Sequence, residues 1–97
     1  MVSNYVRGRA REYRVKKMLL DTGAIYVVRS YGSHSMFDLT AVFPNQVKLI
    51  QVKKDRISKE EKESLVRFSK KVRNPMISVE VWFTYPKLRI WKIKYRT

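Results

Sequence analysis

The sequence predicts a single small α/β domain, a mixed central sheet flanked by helices, with the order α-β-β-β-α-β-β. Three observations predict it. Two stretches have helical spacing, five runs are rich in β-branched and aromatic residues, and short Gly or Pro breaks separate them. A chain of 97 residues with 44% hydrophobic composition supports one modest core and not two, so residues 1–97 read as one domain. No linker, repeat or low-complexity tract divides it.

Residues 5–20 have helix-forming composition, with Val6, Ala10 and Tyr13 at helical spacing and Gly23 following as a stop, so Glu12 lies mid-helix. Residues 24–31, 36–43 and 46–53 are strand-like, and Gly32 and Pro44-Asn45 break them apart. The tight Pro-Asn connection makes the second and third strands an antiparallel hairpin and sets Asp38 beside Gln51. Ser58 followed by Glu61 matches a capping box, after which Leu65, Phe68 and Val72 recur at helical spacing until Asn74-Pro75, giving a helix over 58–73. Residues 77–85 and 88–95 close the chain as two strands divided by Pro86-Lys87.

Lys plus Arg number 22 against 8 Asp plus Glu, a formal net charge of +14, and this excess points to a polyanion, nucleic acid first. The basic residues spread over the whole chain without a long amphipathic anchor or apolar span, which argues against a membrane role. The absence of Cys excludes disulfides and thiolate metal sites, and no apolar secretion-signal region opens the chain, so a cytoplasmic setting is expected.

The chemistry concentrates at Phe37-Asp38-Leu39 and Gln51-Val52-Lys53. A carboxylate among Met36, Phe37, Leu39, Ala41 and Val42 costs free energy unless a cation or donors compensate it. Asp38, the amide oxygen of Gln51 and the carbonyl of Val52 form a credible shell for Mg²⁺, which favours oxygen ligands and keeps several waters; Glu12 would bind a second ion or a metal-bound water. Lys53 leaves the same face of its strand as Gln51 and would orient the attacking water and offset charge on a scissile phosphate. This is what metal-dependent phosphodiester cleavage needs. The blander readings make Lys53 part of the solvated run Lys53-Lys54-Asp55-Arg56, Asp38 a turn acid, and Glu12 a helix-surface partner of Lys16.

Arg7, Arg9, Arg11 and Arg14, with Lys16 and Lys17, crowd the helix that carries Glu12 and read as phosphate contacts, as do Lys54 and Arg56. Gly32-Ser33-His34-Ser35 reads either as a phosphate-cradling loop, with Ser33 the chosen contact, or as a plain turn; His34 stays outside the catalytic set. The terminal hairpin carries Ile77, Val79, Val81 and Phe83 on one face and Trp82, Trp91, Ile93 and Tyr95 toward the other. A homodimer is the functional reading of that apolar surface; an intrachain core against Leu65 and Phe68, or base stacking on Trp82 or Trp91, are the alternatives.

Taken in order, these residues resemble the archaeal-type Holliday-junction resolvases of the PD-(D/E)XK nuclease superfamily. The resemblance runs through Arg7 to Glu12, Val27 to Ser33 including Arg29, Phe37-Asp38-Leu39, Leu49 to Lys53 and Phe68 to Lys71, so it covers most of the chain. It implies a restriction-endonuclease-like domain whose catalytic residues fall on Glu12, Asp38, Gln51 and Lys53, with Ser33 on the family's loop serine and Arg29 among the nucleic-acid contacts. It further implies dependence on Mg²⁺ or Mn²⁺, no small-molecule cofactor, and a homodimer introducing paired nicks at four-way DNA junctions in a prokaryotic or virus-infected prokaryotic cell. One departure stands out: the family's usual acid before the lysine is here Gln51, which removes a negative charge from the metal shell, as in the virus-type replication-repair nucleases that this chain also resembles at that position. The competing functions are a nuclease acting on flaps, single strands or duplex, and a catalytically inactive DNA-binding protein.

Overall fold

The computed structural model describes residues 4–30 and 35–93. Its elements follow in the predicted order: α1 (Asn4–Asp21), β1 (Tyr26–Arg29), β2 (Leu39–Phe43), β3 (Gln46–Lys53), α2 (Lys59–Lys71), β4 (Ile77–Phe83) and β5 (Arg89–Ile93). The strands form one sheet in the order β1-β2-β3-β4-β5. All neighbours are antiparallel except β3 and β4, whose parallel pairing requires the crossover that α2 supplies.

The termination of α1 has a local cause. Gly23 adopts φ +112°, a region costly for a side chain, and lets Gly23 N–H reach Leu20 O at 3.3 Å and Ala24 N–H reach Leu19 O at 3.0 Å. These two bonds are the paired closure of a helix end by a glycine. At α2, Ser58 Oγ accepts the Glu61 N–H at 3.1 Å and thereby satisfies a free helix donor.

Alternation along the strands sorts the core into two layers. Leu39, Ala41, Ile50 and Trp82 face Val15 and Leu19 of α1, whereas Val79, Val81 and Phe83 face Leu65 of α2, with Leu49, Phe68, Trp91 and Ile93 packed around them. Phe37 meets Phe68 edge-on at 5.1 Å between ring centroids. Within the α1-side layer, Glu80 is 0% exposed. It accepts Trp82 Nε1–H at 2.8 Å and Ser78 Oγ–H at 2.7 Å, and pairs with Lys48 Nζ at 3.4 Å.

Three expectations are corrected. The buried stripe of α1 runs through Val15 and Leu19 and not through Ala10 and Tyr13, both of which are exposed, Tyr13 to 53%. That stripe includes Glu12, three residues before Val15. β2 begins at Leu39, so Asp38 sits at the lip of the strand, and β1 is confined to Tyr26–Arg29. In the closing hairpin Val79 is opposite Ile93 and Val81 opposite Trp91, which puts Trp91 and Ile93 on the α2 face, while Trp82 points toward α1. The α2-side face of the hairpin is therefore covered from within the chain; Tyr95 lies outside the described residues. Exposed apolar side chains remain at the β1 edge, at Ile25, Tyr26 and Val28, and on the hairpin at Tyr85, Leu88 and Ile90.

Candidate active site

The site forms where β2 starts and β3 ends. The antiparallel register pairs Leu39 with Ile50, so the preceding residue, Asp38, comes beside Gln51 and Val52. Asp38 is held by its own backbone, donating N–H to Ile50 O at 2.9 Å and accepting Ser30 N–H at 2.9 Å. Its Oδ2 accepts the Val52 N–H at 2.7 Å. Burial pushes the Asp38 carboxyl above its ordinary value; the Val52 N–H opposes this, the Glu12 carboxylate adds to it, Lys53 opposes it and Glu61 adds to it.

Gln51 and Lys53, two apart on β3, leave its α2-side face, and both meet the same group there, the Glu61 carboxylate. Gln51 Nε2 donates to Glu61 Oε2 at 3.2 Å, and Lys53 Nζ pairs with that oxygen as well. The amide orientation follows from this contact, since the reverse placement would set two oxygens against each other. Gln51 Oε1 is consequently buried with no hydrogen-bond partner among the described residues. The residue itself is among those lining a cleft of about 360 Å³, with Ser35, Met36, Glu60, Glu61, Ser64 and Leu65.

Glu61 is the site residue that sequence reasoning missed. The sequence marked it only as the acid of a capping box, and indeed Ser58 Oγ donates to its Oε1 at 3.1 Å. Its position four residues before Leu65, on the covered face of α2, was the available signal. The Lys53 contact holds the Glu61 carboxyl below its ordinary value, partly offset by burial.

Glu12 and Arg29 meet across α1 and β1, Arg29 Nε lying 2.6 Å from Glu12 Oε1. Glu12 thus has a partner seventeen residues along the chain and not Lys16 at the next helical turn, and the Arg29 guanidinium sits 5.7 Å from the Tyr13 ring centroid. Arg9 and Arg14 are exposed on α1, Arg11 is partly covered, and the side chain of Arg7 lies outside the described residues, as does all of Ser33. Ser35, the neighbouring serine, is occupied in its turn: its Oγ donates to Phe37 O at 2.8 Å.

Beyond Lys53, the loop after β4 seats itself on the end of β3. Tyr85 N–H donates to Lys54 O at 2.9 Å, Lys54 Nζ lies 5.2 Å from the Tyr85 ring, and Arg89 Nη2 donates to Asp55 O at 2.9 Å. Lys54 and Arg56 therefore share a basic shelf with Arg89, a cation that the sequence did not single out.

A divalent cation is tested against this donor set directly. Among the described residues no group of three or more His, Cys, Asp or Glu side chains is arranged to hold a metal. The set is instead mixed: a desolvated carboxylate at Asp38 and an unpartnered buried amide oxygen at Gln51. Both are hard oxygen donors, they lie on neighbouring strand ends, and they fit an ion such as Mg²⁺ that retains several waters.

Comparison with known proteins agrees with the fold and the order of motifs. The family model for the archaeal Holliday junction resolvase (Hjc) matches residues 3–92. Among solved structures, the Hjc of Archaeoglobus fulgidus, a Holliday junction resolvase from an archaeal hyperthermophile, superposes with a TM-score of 0.63 at 22% identity, covering 94% of this chain and 78% of that one. No curated protein matches. With its two helices, five-stranded mixed sheet and a family match that spans nearly its whole length, the chain belongs to the archaeal Holliday junction resolvase (Hjc) family.

Proposed function

We propose that this protein is a divalent-metal-dependent endonuclease that resolves four-way DNA junctions by paired phosphodiester cleavage, as a homodimer. The observation that carries the reading is the unpartnered Gln51 Oε1 on the strand next to the desolvated Asp38 carboxylate, with Lys53 on the same strand face as Gln51. Asp38, Gln51 Oε1 and the Val52 carbonyl would hold Mg²⁺ or Mn²⁺, with Glu12 on a second ion or a bound water. When bound, the ion supplies Lewis-acid stabilisation of the phosphate and a more acidic water.

The chain's own groups do the rest. The Val52 N–H fixes one Asp38 oxygen and so sets the direction of the other. Lys53 Nζ has three donors, of which Glu61 takes one, leaving others for a phosphate oxygen and the attacking water. Arg9, Arg11, Arg14, Lys54 and Arg56 would contact the phosphates of the DNA arms, together with Arg7 and Ser33. A cytoplasmic setting fits a DNA substrate and a chain without Cys.

Dimerisation would place two sites against two strands of like polarity, and the exposed Ile25, Tyr26 and Val28 around the β1 edge offer apolar surface for it. The test is cleavage of a labelled four-way junction beside linear duplex and flap controls, in Mg²⁺ and in EDTA, with the oligomeric state measured by sedimentation. Paired metal-dependent cuts confined to the junction by a dimer are expected. Cutting of flap or duplex reassigns the substrate, and tight binding without cleavage in either metal makes the protein a DNA-binding module.

A further inference from the structure

We propose that Glu61 is a positioning residue of the active site, which aims Gln51 Oε1 and Lys53 Nζ and supplies the negative charge that a neutral glutamine cannot. The inference rests on the metal-dependent reading above and extends it to a residue on a different element. Three carboxylates lie near the site. Asp38 is one; Glu12, paired with the Arg29 guanidinium at 2.6 Å, and Glu61, paired with Lys53, are the others, and the charge of both reaches Asp38. A dication facing Asp38 and an uncharged amide would draw on the charge of Glu12 from the α1 side and of Glu61 from the α2 side, and of these two Glu61 alone also bonds Gln51.

The geometry gives Glu61 that task. Its two oxygens are divided: Oε1 takes the Ser58 hydroxyl at 3.1 Å, and Oε2 takes Gln51 Nε2 at 3.2 Å together with Lys53 Nζ. The Ser58 contacts anchor the carboxylate to the first turn of α2, so its direction is set by a helix and not by a free side chain. From there it fixes the Gln51 amide with Nε2 on the Glu61 carboxylate, which leaves Oε1 as the buried, unbonded end of the amide. A charge-assisted bond at Nε2 also polarises the amide and raises the electron density on Oε1, in the manner of an outer partner that tunes a metal-binding side chain. The same oxygen holds Lys53 Nζ on the strand face it shares with Gln51.

The test is Mn²⁺ binding to the whole chain without DNA, read by the electron paramagnetic resonance of free Mn²⁺, for wild type, Glu61→Gln, Glu61→Asp and the double variant Gln51→Glu/Glu61→Gln. Glu61→Gln preserves the Ser-x-x-Gln capping pattern and so the helix start, which circular dichroism checks. A roughly 10- to 100-fold loss of affinity is expected in both single variants, the range found for outer partners of metal ligands. The double variant, which moves the carboxylate onto β3, is expected to recover to within a few-fold of wild type, whereas a merely structural Glu61 would leave Mn²⁺ affinity in the folded Glu61→Gln variant unchanged. Wild-type affinity in Glu61→Gln, or a double variant no tighter than Glu61→Gln, overturns the proposal. Failure of the wild type to bind Mn²⁺ at millimolar concentration instead removes the metal-dependent reading on which it stands.

Discussion

Glu80 and Asp38 are both carboxylates drawn into the same sheet, and they are satisfied in opposite ways. Glu80 lies in the α1-side layer with donors on both oxygens, from Trp82, Ser78 and Lys48, so its surroundings are complete without a ligand. Asp38 holds the Val52 N–H, but its charged neighbours include two further carboxylates, and beside it Gln51 Oε1 has no partner. The first arrangement is complete in itself; the second leaves a buried acceptor without a donor next to a desolvated acid. A buried acid is thus informative about function only through what surrounds it.

The sharpest way to break this contrast is to remove each acid and compare. Glu80→Ala leaves Lys48 without its partner beside Trp82, and a loss of about 3–5 kcal/mol is expected in urea unfolding. A loss below about 1 kcal/mol would mean that the network carries no structural weight. Asp38→Asn should do the reverse: junction cleavage falls by more than about 100-fold, above the range for losing an outer partner, while junction binding in EDTA persists. Loss of binding in parallel with cleavage would show Asp38 to be structural.

The same variant has an opposite expected sign in stability. Because the Asp38 carboxyl is raised in the folded chain, its ionised form costs stability at pH values above that raised value. Asp38→Asn is therefore expected to stabilise the metal-free protein at pH 7 by of order 1 kcal/mol, as removal of an active-site group does where function and stability conflict. The gain disappears as the pH falls below 3.8, where the acid is protonated in both folded and unfolded chains. Destabilisation at pH 7 would place Asp38 in the same class as Glu80. The smallest effect is expected at the basic shelf, where Lys54→Ala should weaken binding uniformly across DNA sequences and reduce the salt slope of log K by about one.

Much of this site was legible in the order of residues, for a local reason. The Pro44-Asn45 turn joins β2 to β3 directly, so the register that brings Asp38 to Gln51 is set by a few consecutive residues, and the alternation of β3 then puts Lys53 on the face of Gln51. The hairpin faces were harder. Trp91 and Ile93 joined the α2 layer and Trp82 the α1 layer because the β4–β5 register pairs Val81 with Trp91, a long-range fact that hydrophobic runs on both faces do not specify.

The sequence alone accounts for the element order, the caps of both helices at Gly23 and Ser58, and the meeting of Asp38 with Gln51, since each arises from neighbouring residues. The packing of the helices on the sheet settled the partners: Glu12 with Arg29 and not Lys16, and Glu61 with Gln51 and Lys53. Those pairs depend on which face each helix buries and how far along the sheet it lies, and a carboxylate on a helix surface has several reachable cations until packing excludes all but one.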